Sequence, residues 1–237
     1  LWYIKNLDSV FNQTYKKWRI IYVNDCSTDK TYELVKKYVI DKGYNNKIKI
    51  INNKKNYKQA YSRYIAYNMC EDNEIAVMLD GDDWLSNNYV LEILNNYYNK
   101  NDILCTYGSH QISINGKLSK IPNLVDYNSN VIKNNTFKYM AWNTPVHLRT
   151  FKIYLLKTIP KNFLKDHNGE WLKCCTDIAE MIWCLENCNG KFLKIKRVLY
   201  THNLDNSIKY KNCYLNDNIN EEDYLYRMKV INKIINY

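Results

Sequence analysis

The chain reads Glu74-Ile75-Ala76-Val77-Met78-Leu79-Asp80-Gly81-Asp82-Asp83-Trp84-Leu85-Ser86 about a third of the way along, and this stretch decides the fold. The apolar run from Ile75 to Leu79 has the length of a strand and predicts one that is fully buried. Three carboxylates follow it at once, with Gly81 as the only residue between them. A polar turn that caps the next helix would use the same residue types. Because ligands bind beyond the carboxyl ends of strands in open α/β sheets, the position favours a ligand site.

The carboxylates of Asp80, Asp82 and Asp83 repel one another if all three are ionised in a folded site. A divalent cation removes this repulsion, and hard oxygen ligands suit Mg²⁺ or Mn²⁺. Gly81 lets the backbone bend and come close to a ligand. The sequence therefore predicts a site for Mg²⁺ or Mn²⁺ at the end of this strand.

Length and composition fit one globular domain, or a domain with an elaborated C-terminal part. The 237 residues are 46% hydrophobic, which is ample for a core. No apolar segment reaches the roughly 18 residues that a membrane span needs, and the first residues show no signal-peptide pattern. We therefore expect a soluble, cytoplasmic protein without a membrane span.

The eight cysteines form no CxxC pair and no regular framework, and several lie within apolar runs. Reduced thiols are therefore favoured over disulfides. A structural zinc site at Cys174, Cys175, Cys184 and Cys188 is disfavoured, because the vicinal pair and the helical spacing of the last two do not match the usual zinc knuckles.

The formal net charge of +10 raises the question of nucleic-acid binding. The lysines are scattered in pairs, such as Lys16 with Lys17 and Lys36 with Lys37, without a long basic run or an RNP-type motif. The chain is rich in Asn, Lys, Ile and Tyr, a bias that an A/T-rich genome produces without selection for a basic face. We therefore predict no nucleic-acid partner and retain only a general attraction to an anionic substrate.

Strands and helices alternate through the first half of the chain. Apolar runs predict strands at Arg19 to Val23, Lys47 to Ile51, Ile75 to Leu79 and Ile103 to Tyr107. Helical spacing predicts helices at Trp2 to Phe11, Thr31 to Tyr38, Gln59 to Met69 and Val90 to Tyr97. The N-caps expected are Ser27 or Thr28 and Ser86 or Asn87. This alternation is typical of a mostly parallel, doubly wound α/β sheet flanked by helices.

The pattern is looser in the second half. A hairpin is predicted at Ser109 to Lys117, because Asn115-Gly116 is a strong signal for a tight turn. The polar segment Asp126 to Asn135 is expected to be a loop. Helices are predicted at Phe151 to Ile159, Asp177 to Asn187 and Glu221 to Ile235, and a last strand at Phe192 to Tyr200.

Three motifs occur in order along the chain: Leu7-Asp8-Ser9-Val10-Phe11-Asn12-Gln13-Thr14-Tyr15, Val23-Asn24-Asp25-Cys26-Ser27-Thr28-Asp29 and Leu79-Asp80-Gly81-Asp82-Asp83. Together they resemble the inverting family 2 glycosyltransferases of GT-A fold. His147-Leu148-Arg149-Thr150-Phe151 and the helix at Asp177 resemble the C-terminal part of one branch of that family, so the resemblance covers most of residues 1 to 205. It implies a Rossmann-like GT-A sheet with a smaller C-terminal acceptor-side region.

The resemblance implies roles for the residues that match the motifs. Asp25 would hold the base of a sugar nucleotide, and Asp80 would contact its ribose. Asp82, together with Asp83, would bind the divalent metal that bridges the diphosphate. Arg63 stands where the family often has a basic residue near the nucleotide, although a solvated helix face explains it as well.

Asp177 matches the aspartate that inverting members use as general base, which would remove the proton of an acceptor hydroxyl during a single in-line displacement. Without the resemblance, Asp177 with Glu180 three residues later reads as an ordinary helix start. Glu180 and Glu170 are the fallback candidates for the base.

Four further residues are candidate contacts. His147 and Arg149 are close in sequence and would meet the diphosphate or the acceptor, since arginine suits bidentate phosphate contact. His202 would complete a metal shell, as in some GT-A enzymes, and a structural role for either histidine stays open. Trp171, like Trp142, would stack on a sugar ring or pack in the core.

Two features depart from the family pattern. Family members usually begin with a strand that ends in Pro-(Ser/Thr)-Tyr-Asn and supplies part of the base pocket, and the chain starts after that position. Either the true N-terminus is missing from the sequence or the nucleotide site is incomplete. Asn24 also replaces the first residue of the usual acidic pair, while Asp25 keeps the second.

These inferences lead to one main hypothesis. The chain would be a metal-dependent, inverting glycosyltransferase that moves a sugar from a nucleotide donor, UDP-linked by preference, to a hydroxyl of a glycan, lipid or protein. Residues 1–107 would bind the nucleotide sugar, residues 108–205 would form the acceptor side of the same domain, and residues 206–237 would be a helical extension. A homo-oligomer is compatible with this view. The alternative is a degenerate GT-A domain that binds carbohydrate or a partner without catalysis.

Overall fold

The computed structural model describes residues 2–120, 125–143, 147–205 and 221–237. The helices in these ranges are α1 (Trp2–Phe11), α2 (Thr31–Asp41), α3 (Gln59–Asn68), α4 (Val90–Lys100), α5 (Ser129–Asn134), α6 (Ile153–Lys157), α7 (Thr176–Asn187) and α8 (Glu221–Asn236). The strands are β1 (Ile20–Asn24), β2 (Ile48–Asn52), β3 (Ile75–Val77), β4 (Trp84–Leu85), β5 (Cys105–Ile114), β6 (Lys117–Lys120), β7 (Thr150–Lys152) and β8 (Phe192–Asn203). Two short 3₁₀ segments span Phe137–Asn143 and Lys161–Leu164.

The described strands form two sheets flanked by helices, which confirms the predicted α/β class. The larger sheet has the order β3-β7-β5-β8-β4, with β6 paired to the end of β5, and the smaller sheet is the pair β1-β2. The β1–β2 and β5–β8 pairs are parallel, whereas β3–β7, β5–β7, β4–β8 and β5–β6 are antiparallel. The pairing is therefore mixed rather than mostly parallel, because the short strands β4 and β7, which the sequence did not predict, join antiparallel to their neighbours.

Several element boundaries differ from the predicted ones. The predicted helix at Phe151 to Ile159 starts only at Ile153, because the backbone of Phe151 pairs with Ala76 of β3 and Cys105 of β5. The predicted loop at Asp126 to Asn135 contains α5, whose first turn is capped by the Asn128 side chain. The hairpin is confirmed, with Asn115 and Gly116 at φ of 51° and 72° between β5 and β6. Those positive values suit a tight two-residue turn.

The predicted N-caps are wrong by two or three residues. Ser27 instead donates to the side chain of Asn24, and the Asp29 carboxylate accepts a hydrogen bond of 2.9 Å from the Thr31 N–H at the start of α2. In the same way Ser86 donates to the Val198 carbonyl. Local hydrogen bonds of short polar side chains compete with helix capping in this manner.

A gap in the sheet layer separates β1 from β3. A cavity of about 400 Å³ lies there, lined by Ile20 to Val23 of β1 and by Ile75 to Asp80 at β3 and its end. All residues from Ile75 to Leu79 are half-buried, so the prediction of a fully buried strand is wrong. Val77 and Leu79 pack with the core cluster that contains Val10 of α1, whereas Ala76 and Met78 pack with the cluster that contains Ala60 of α3. Helices therefore cover both faces of the gap.

The hydrogen bonds of β1 and β3 show which backbone groups face the gap. The Ile20 N–H donates to Lys47, and the Asn24 carbonyl accepts from Asn53, so the even-numbered residues of β1 point towards β2. The Glu74 carbonyl and the Met78 N–H bond to β7 and its flank, so even-numbered residues of β3 point towards β7. Because successive residues of a strand alternate in direction, Ile21, Val23, Ile75 and Val77 direct their backbone groups into the gap.

The C-terminal helix joins the main core. Val230, Ile231 and Ile234 of α8 are buried in the same cluster as residues of α6 and α7. The seven cysteines in the described ranges are free thiols, and Cys213 lies outside those ranges. Within the described residues, each helix is too short or too polar to cross a lipid bilayer. The division into three parts at residues 107 and 205 stays a prediction.

The gap predicts that an added strand will stabilise the protein. α1 lies beside the carboxyl end of β3, since the Asn6 side chain bonds to the Asp80 carbonyl. A segment of five β-branched residues fused through a short linker ahead of α1 can therefore run along the gap parallel to β1. We expect the melting temperature to rise by about 2–4 °C for each kcal/mol gained, and the gap-facing amides of Ile21, Val23, Ile75 and Val77 to become protected from hydrogen exchange.

The matched control carries proline at two positions of the same segment, because proline cannot donate to a strand ladder. Equal melting temperatures and equal amide exchange for both fusions would show that the cavity does not accept a strand.

Candidate active site

The acidic loop Asp80–Asp83 follows β3 and is held from below by Asn6 of α1. The Asn6 Nδ2 donates to the carbonyls of Asp80 and Asp83, both at 2.8 Å, and Asn6 itself is buried. The Asp83 N–H also donates to the Asp80 carbonyl at 3.1 Å, which closes a tight turn. The loop backbone is thus fixed independently of its carboxylates.

Asp83 points inward and supports the loop. Its side chain is 2% exposed, and its two oxygens accept hydrogen bonds from the Tyr200 hydroxyl at 2.5 Å and from the Asn203 N–H at 2.7 Å. Burial raises the pKa of Asp83 to about 8; the nearby charges of Asp82 and Asp80 act in the same direction, and the two hydrogen bonds oppose them. Burial is therefore the main reason that this carboxyl resists ionisation, and the charges of Asp82 and Asp80 add to it.

Asp80 is held in its ionised form by nearby positive charges. Its Oδ1 accepts a hydrogen bond of 3.0 Å from the Arg63 Nη2, and its side chain is 38% exposed. Burial works against ionisation, but the positive charges of Arg63 and Arg149 and the imidazole of His147 hold the pKa of Asp80 well below its usual range. The carboxylate therefore presents a full negative charge to a ligand.

A cation fits beside this loop. Ligand atoms of Asp80, Asp83 and His147 all lie within 4.8 Å of one another. The His147 Nδ1 is buried and has no hydrogen-bond partner among the described residues, and burial lowers the pKa of this imidazole, which leaves it neutral and able to donate a lone pair. Two carboxylates with one imidazole suit Mn²⁺, and such a charge would relieve the repulsion at Asp83.

The sequence predicts Asp82 and Asp83 as the metal ligands. In the structure, His147 and not Asp82 places a ligand atom close to those of Asp80 and Asp83. Asp82 is half-buried, and its carbonyl accepts from the Asn203 side chain at 3.0 Å. Its carboxylate acts electrostatically on His202: burial lowers the pKa of His202, and the charges of Asp82 and Asp80 raise it in part. Asp82 and Asp80 are therefore both near enough to His202 to act on its charge.

Three histidines and a tyrosine lie close together beside the acidic loop. The His147 ring stacks on Tyr200, with 4.3 Å between centroids and 5° between planes. His110 and His202 lie 6.0 and 5.7 Å from His147. Burial lowers the pKa of His110 to about 4, with the nearby His202 acting in the same direction, so this imidazole is neutral at physiological pH.

Arg63 connects the loop to helix α7. Its Nη2 donates to Asp80 and its Nη1 donates to the Glu180 Oε2, each at 3.0 Å. The side chain of Glu180 is 1% exposed, and that of Arg63 is largely buried. Arg63 contacts Asp80 and is largely buried, so a solvated helix face does not describe it, and its role near a nucleotide stays a prediction.

Arg149 forms the second buried arginine–carboxylate pair. Its side chain is 1% exposed, and its Nη1 lies 3.0 Å from the Asp177 Oδ2, whose side chain is 42% exposed. Asp177 is the second residue of α7, and the N-cap position is Cys175, so the plain N-cap explanation of Asp177 does not hold. Burial opposes ionisation of Asp177, but Arg149 and Arg63 lower its pKa.

Asp25 lies at the end of β1, across the gap from Asp80. Its Oδ1 accepts from the Asn53 side chain and the Tyr57 N–H, and its Oδ2 from the Lys58 N–H, at 2.8 to 2.9 Å. These bonds fix the segment that leads into α3. The Asn24 Nδ2 donates a hydrogen bond of 2.7 Å to the Asn52 Oδ1 on the neighbouring strand β2. The amide at position 24 therefore has a structural role.

The remaining predicted residues lie at the periphery. Trp171 packs against Tyr61 and Tyr64 of α3, with centroids 5.3 and 5.2 Å away, and is half-buried. Trp142 is 54% exposed in the 3₁₀ segment Phe137–Asn143. Glu170 lies on an exposed turn, where its N–H bonds to Asp166.

Comparison with known proteins identifies the family. The model of "Glycosyl transferase family 2" matches residues 4–162, which is more than half of the chain. The chain belongs to glycosyl transferase family 2. A curated relative, named as an uncharacterized glycosyltransferase of Rickettsia bellii (strain RML369-C), is 28% identical over 179 residues, which is 75% of this chain. The chain spans about a quarter of the length of the curated relatives it matches.

Solved structures of glycosyltransferases share the fold of this family 2 chain. Residues 1–349 of S. aureus TarS, in complex with UDP, superpose with a TM-score of 0.64 at 18% identity, covering 99% of this chain and 65% of that one. The mannosyltransferase PcManGT from Pyrobaculum calidifontis, in complex with GDP-Man and Mn²⁺, gives a TM-score of 0.61 at 15% identity, covering 99% and 60%. These similarities confirm the GT-A fold.

Sequence reasoning missed four residues of this family 2 site: Asn6, His110, Tyr200 and Asn203. Asn6 immediately precedes the first recognised motif, which was the available signal. Tyr200 and Asn203 lie in the C-terminal half of β8, and their contacts to Asp83 span 117 and 120 residues. His110 lies on β5 and has no local sequence signal for its role. Only the pairing of β5 with β8 and β4 with β8 brings them to the loop.

Proposed function

We propose that this chain forms the catalytic part of a glycosyltransferase that moves a sugar from a nucleotide donor to a hydroxyl, with inversion and with a divalent metal. One observation carries the proposal: two ionised, partly exposed carboxylates, Asp80 and Asp177, are each ion-paired with a buried arginine beside a loop whose residues could hold a cation. A donor held at Asp80 and an acceptor activated at Asp177 would meet between them.

The donor side would comprise Asp25, Arg63 and Asp80. Asp25 and Asp80 follow β1 and β3, and ligands of open α/β sheets bind at such strand ends. Asp25 would accept hydrogen bonds from the base, and Asp80 from the ribose, while Arg63 holds Asp80 in place. Support comes from two structural neighbours of the same fold, one in complex with UDP and one in complex with GDP-Man. We favour a UDP-linked donor.

The metal would be Mn²⁺ or Mg²⁺. Asp82 and Asp83 are the ligands that the motif implies, and the spacing of ligand atoms adds Asp80 and His147. When bound, the cation would neutralise the charge that develops on the leaving diphosphate. Tyr200 and Asn203 would keep the Asp83 carboxylate oriented, and Asn6 would keep the loop closed beneath it.

The acceptor side would depend on Asp177 as general base. Arg149 fixes one of its oxygens and, together with Arg63, keeps the carboxylate ionised, so the other oxygen is available for the proton of an acceptor hydroxyl. Glu180 is too deeply buried to reach an acceptor, and Glu170 lies on an exposed turn. His147, Arg149, Trp171 and His202 would shape this side without a defined acceptor, which would be a hydroxyl of a glycan, lipid or protein.

The alternative is a domain that binds carbohydrate or a partner without catalysis. A domain of that kind would bind a nucleotide or a sugar but transfer none, and the two experiments below separate the cases.

The first prediction concerns donor binding. UDP at 100 times its dissociation constant, with Mn²⁺, should stabilise the protein by about 2.7 kcal/mol, which corresponds to roughly 5–10 °C in melting temperature. The shift should disappear with EDTA and in Asp82→Asn, because the metal would link the loop to the diphosphate. Asp126→Asn, a change at a carboxylate 82% exposed on the surface, is the control and should leave the shift intact. A full shift in Asp82→Asn would contradict the metal assignment.

The second prediction concerns the base. Asp177→Asn keeps the shape of the side chain and removes its ability to accept a proton, so UDP binding should persist while transfer falls by about 10²- to 10⁴-fold. Release of UDP in the presence of acceptor glycans measures transfer, and Asp223→Asn, at an exposed ion pair with Lys173, is the control. Unchanged turnover in Asp177→Asn would exclude this residue as base.

A further inference from the structure

Glu180 lies behind the two carboxylates of the proposed site, and its contacts are unlike those of a catalytic acid or base. Its Oε2 accepts a single hydrogen bond, from the Arg63 Nη1 at 3.0 Å. Its Oε1 is buried without a hydrogen-bond partner among the described residues, and the whole side chain is 1% exposed. A buried carboxylate is costly unless a nearby positive charge compensates it.

Two arginines provide that charge, and each also fixes a cleft-side carboxylate. Arg63 bridges Glu180 and Asp80 with the two ends of one guanidinium, and Arg149 pairs with Asp177. Arg149 also acts electrostatically on Glu180, and Arg63 on Asp177. The five groups therefore form one cluster, in which Glu180 and Arg149 are each 1% exposed while Asp80 and Asp177 reach solvent.

The cluster joins elements that are distant in sequence. Arg63 is on α3, Asp80 follows β3, and Glu180 and Asp177 share the first two turns of α7. Because Glu180 and Asp177 are three residues apart on one helix, they lie on neighbouring positions of its surface. A shift of Arg63 relative to Glu180 would change the distance between the donor-side and acceptor-side carboxylates.

We propose that Glu180 is a positioning residue, which anchors Arg63 so that Asp80 and Asp177 keep a fixed separation across the site. This inference rests on the proposed function, since it assigns Asp80 to the donor and Asp177 to the acceptor. It replaces the sequence-based view of Glu180 as a fallback base. Burial also raises the pKa of Glu180, with Arg63 and Arg149 opposing that effect, which agrees with a residue used for contact rather than for exposed charge.

The distinguishing experiment measures UDP binding by calorimetry in Mn²⁺ for Glu180→Gln, a change that preserves shape and an acceptor oxygen. Replacing a charged acceptor with a neutral one weakens a hydrogen bond, so Arg63 should hold Asp80 less firmly and the Kd for UDP should rise about fivefold to tenfold. A general base would behave differently, because its loss lowers turnover and leaves donor binding unchanged. The matched control is Glu186→Gln on the same helix, where Glu186 accepts from the Lys138 backbone N–H.

A double variant distinguishes the positioning role from a general loss of stability in the single variants. If Glu180 acts through Arg63, UDP should bind to Arg63→Gln/Glu180→Gln no more weakly than to Arg63→Gln alone. Additive losses in the double variant, or unchanged UDP affinity in Glu180→Gln, would overturn the positioning role. Failure of the unmodified protein to bind UDP at all would instead overturn the proposed function.

Discussion

Electrostatic repulsion at the end of β3 is the constraint on which the candidate site depends. Three carboxylates within four residues are stable there only because the fold treats each of them differently. Asp83 is buried against Tyr200 and Asn203, Asp80 is ion-paired with Arg63, and Asp82 remains half-buried at the edge. Burial is the main cause of the raised pKa of Asp83 and the charges of Asp82 and Asp80 add to it, so a divalent cation beside these carboxylates would favour their ionised form.

The two buried arginines, Arg63 and Arg149, compensate carboxylate charge on both sides of the site. A buried guanidinium needs a carboxylate, and each of the two arginines meets this need with a carboxylate that also faces solvent. Stability and chemistry therefore depend on the same pairs, because removing either arginine would free a proposed functional carboxylate. This arrangement also explains why the proposed donor and acceptor residues come from α7 and the β3 loop, which lie far apart in sequence but share one buried cluster.

Much of this was predictable from the sequence where the signal is local. The β-α alternation, the hairpin at Asn115-Gly116 and the acidic loop after an apolar run follow from short-range patterns. The resemblance of the motifs correctly indicated the family. The strands β4 and β7 escaped prediction, because strands of two and three residues exist only through their partners β8 and β3. The half-buried state of Ile75 to Leu79 escaped it as well, since hydrophobicity predicts burial but does not show which elements cover a strand.

The site residues also divide into those with a local sequence signal and those without one. Asp25, Asp80, Asp82 and Asp177 belong to motifs and are therefore candidates from the sequence, whereas Asn6 and Tyr200 contact the acidic loop through bonds spanning 77 and 117 residues. The sequence position of Glu180 suggests a fallback base, and the fold adds what the sequence does not show, namely its burial and its contact with Arg63. Long-range pairing, and not residue type, therefore decides which carboxylates are exposed for chemistry.

The most direct test of the account is a crystal grown with UDP and MnCl₂ and measured at a wavelength where manganese scatters anomalously. The account predicts uracil beside Asp25, ribose at Asp80, and a single strong anomalous peak between the diphosphate and the loop Asp80–Asp83. A UDP molecule bound elsewhere, or a manganese peak away from those carboxylates, would contradict it.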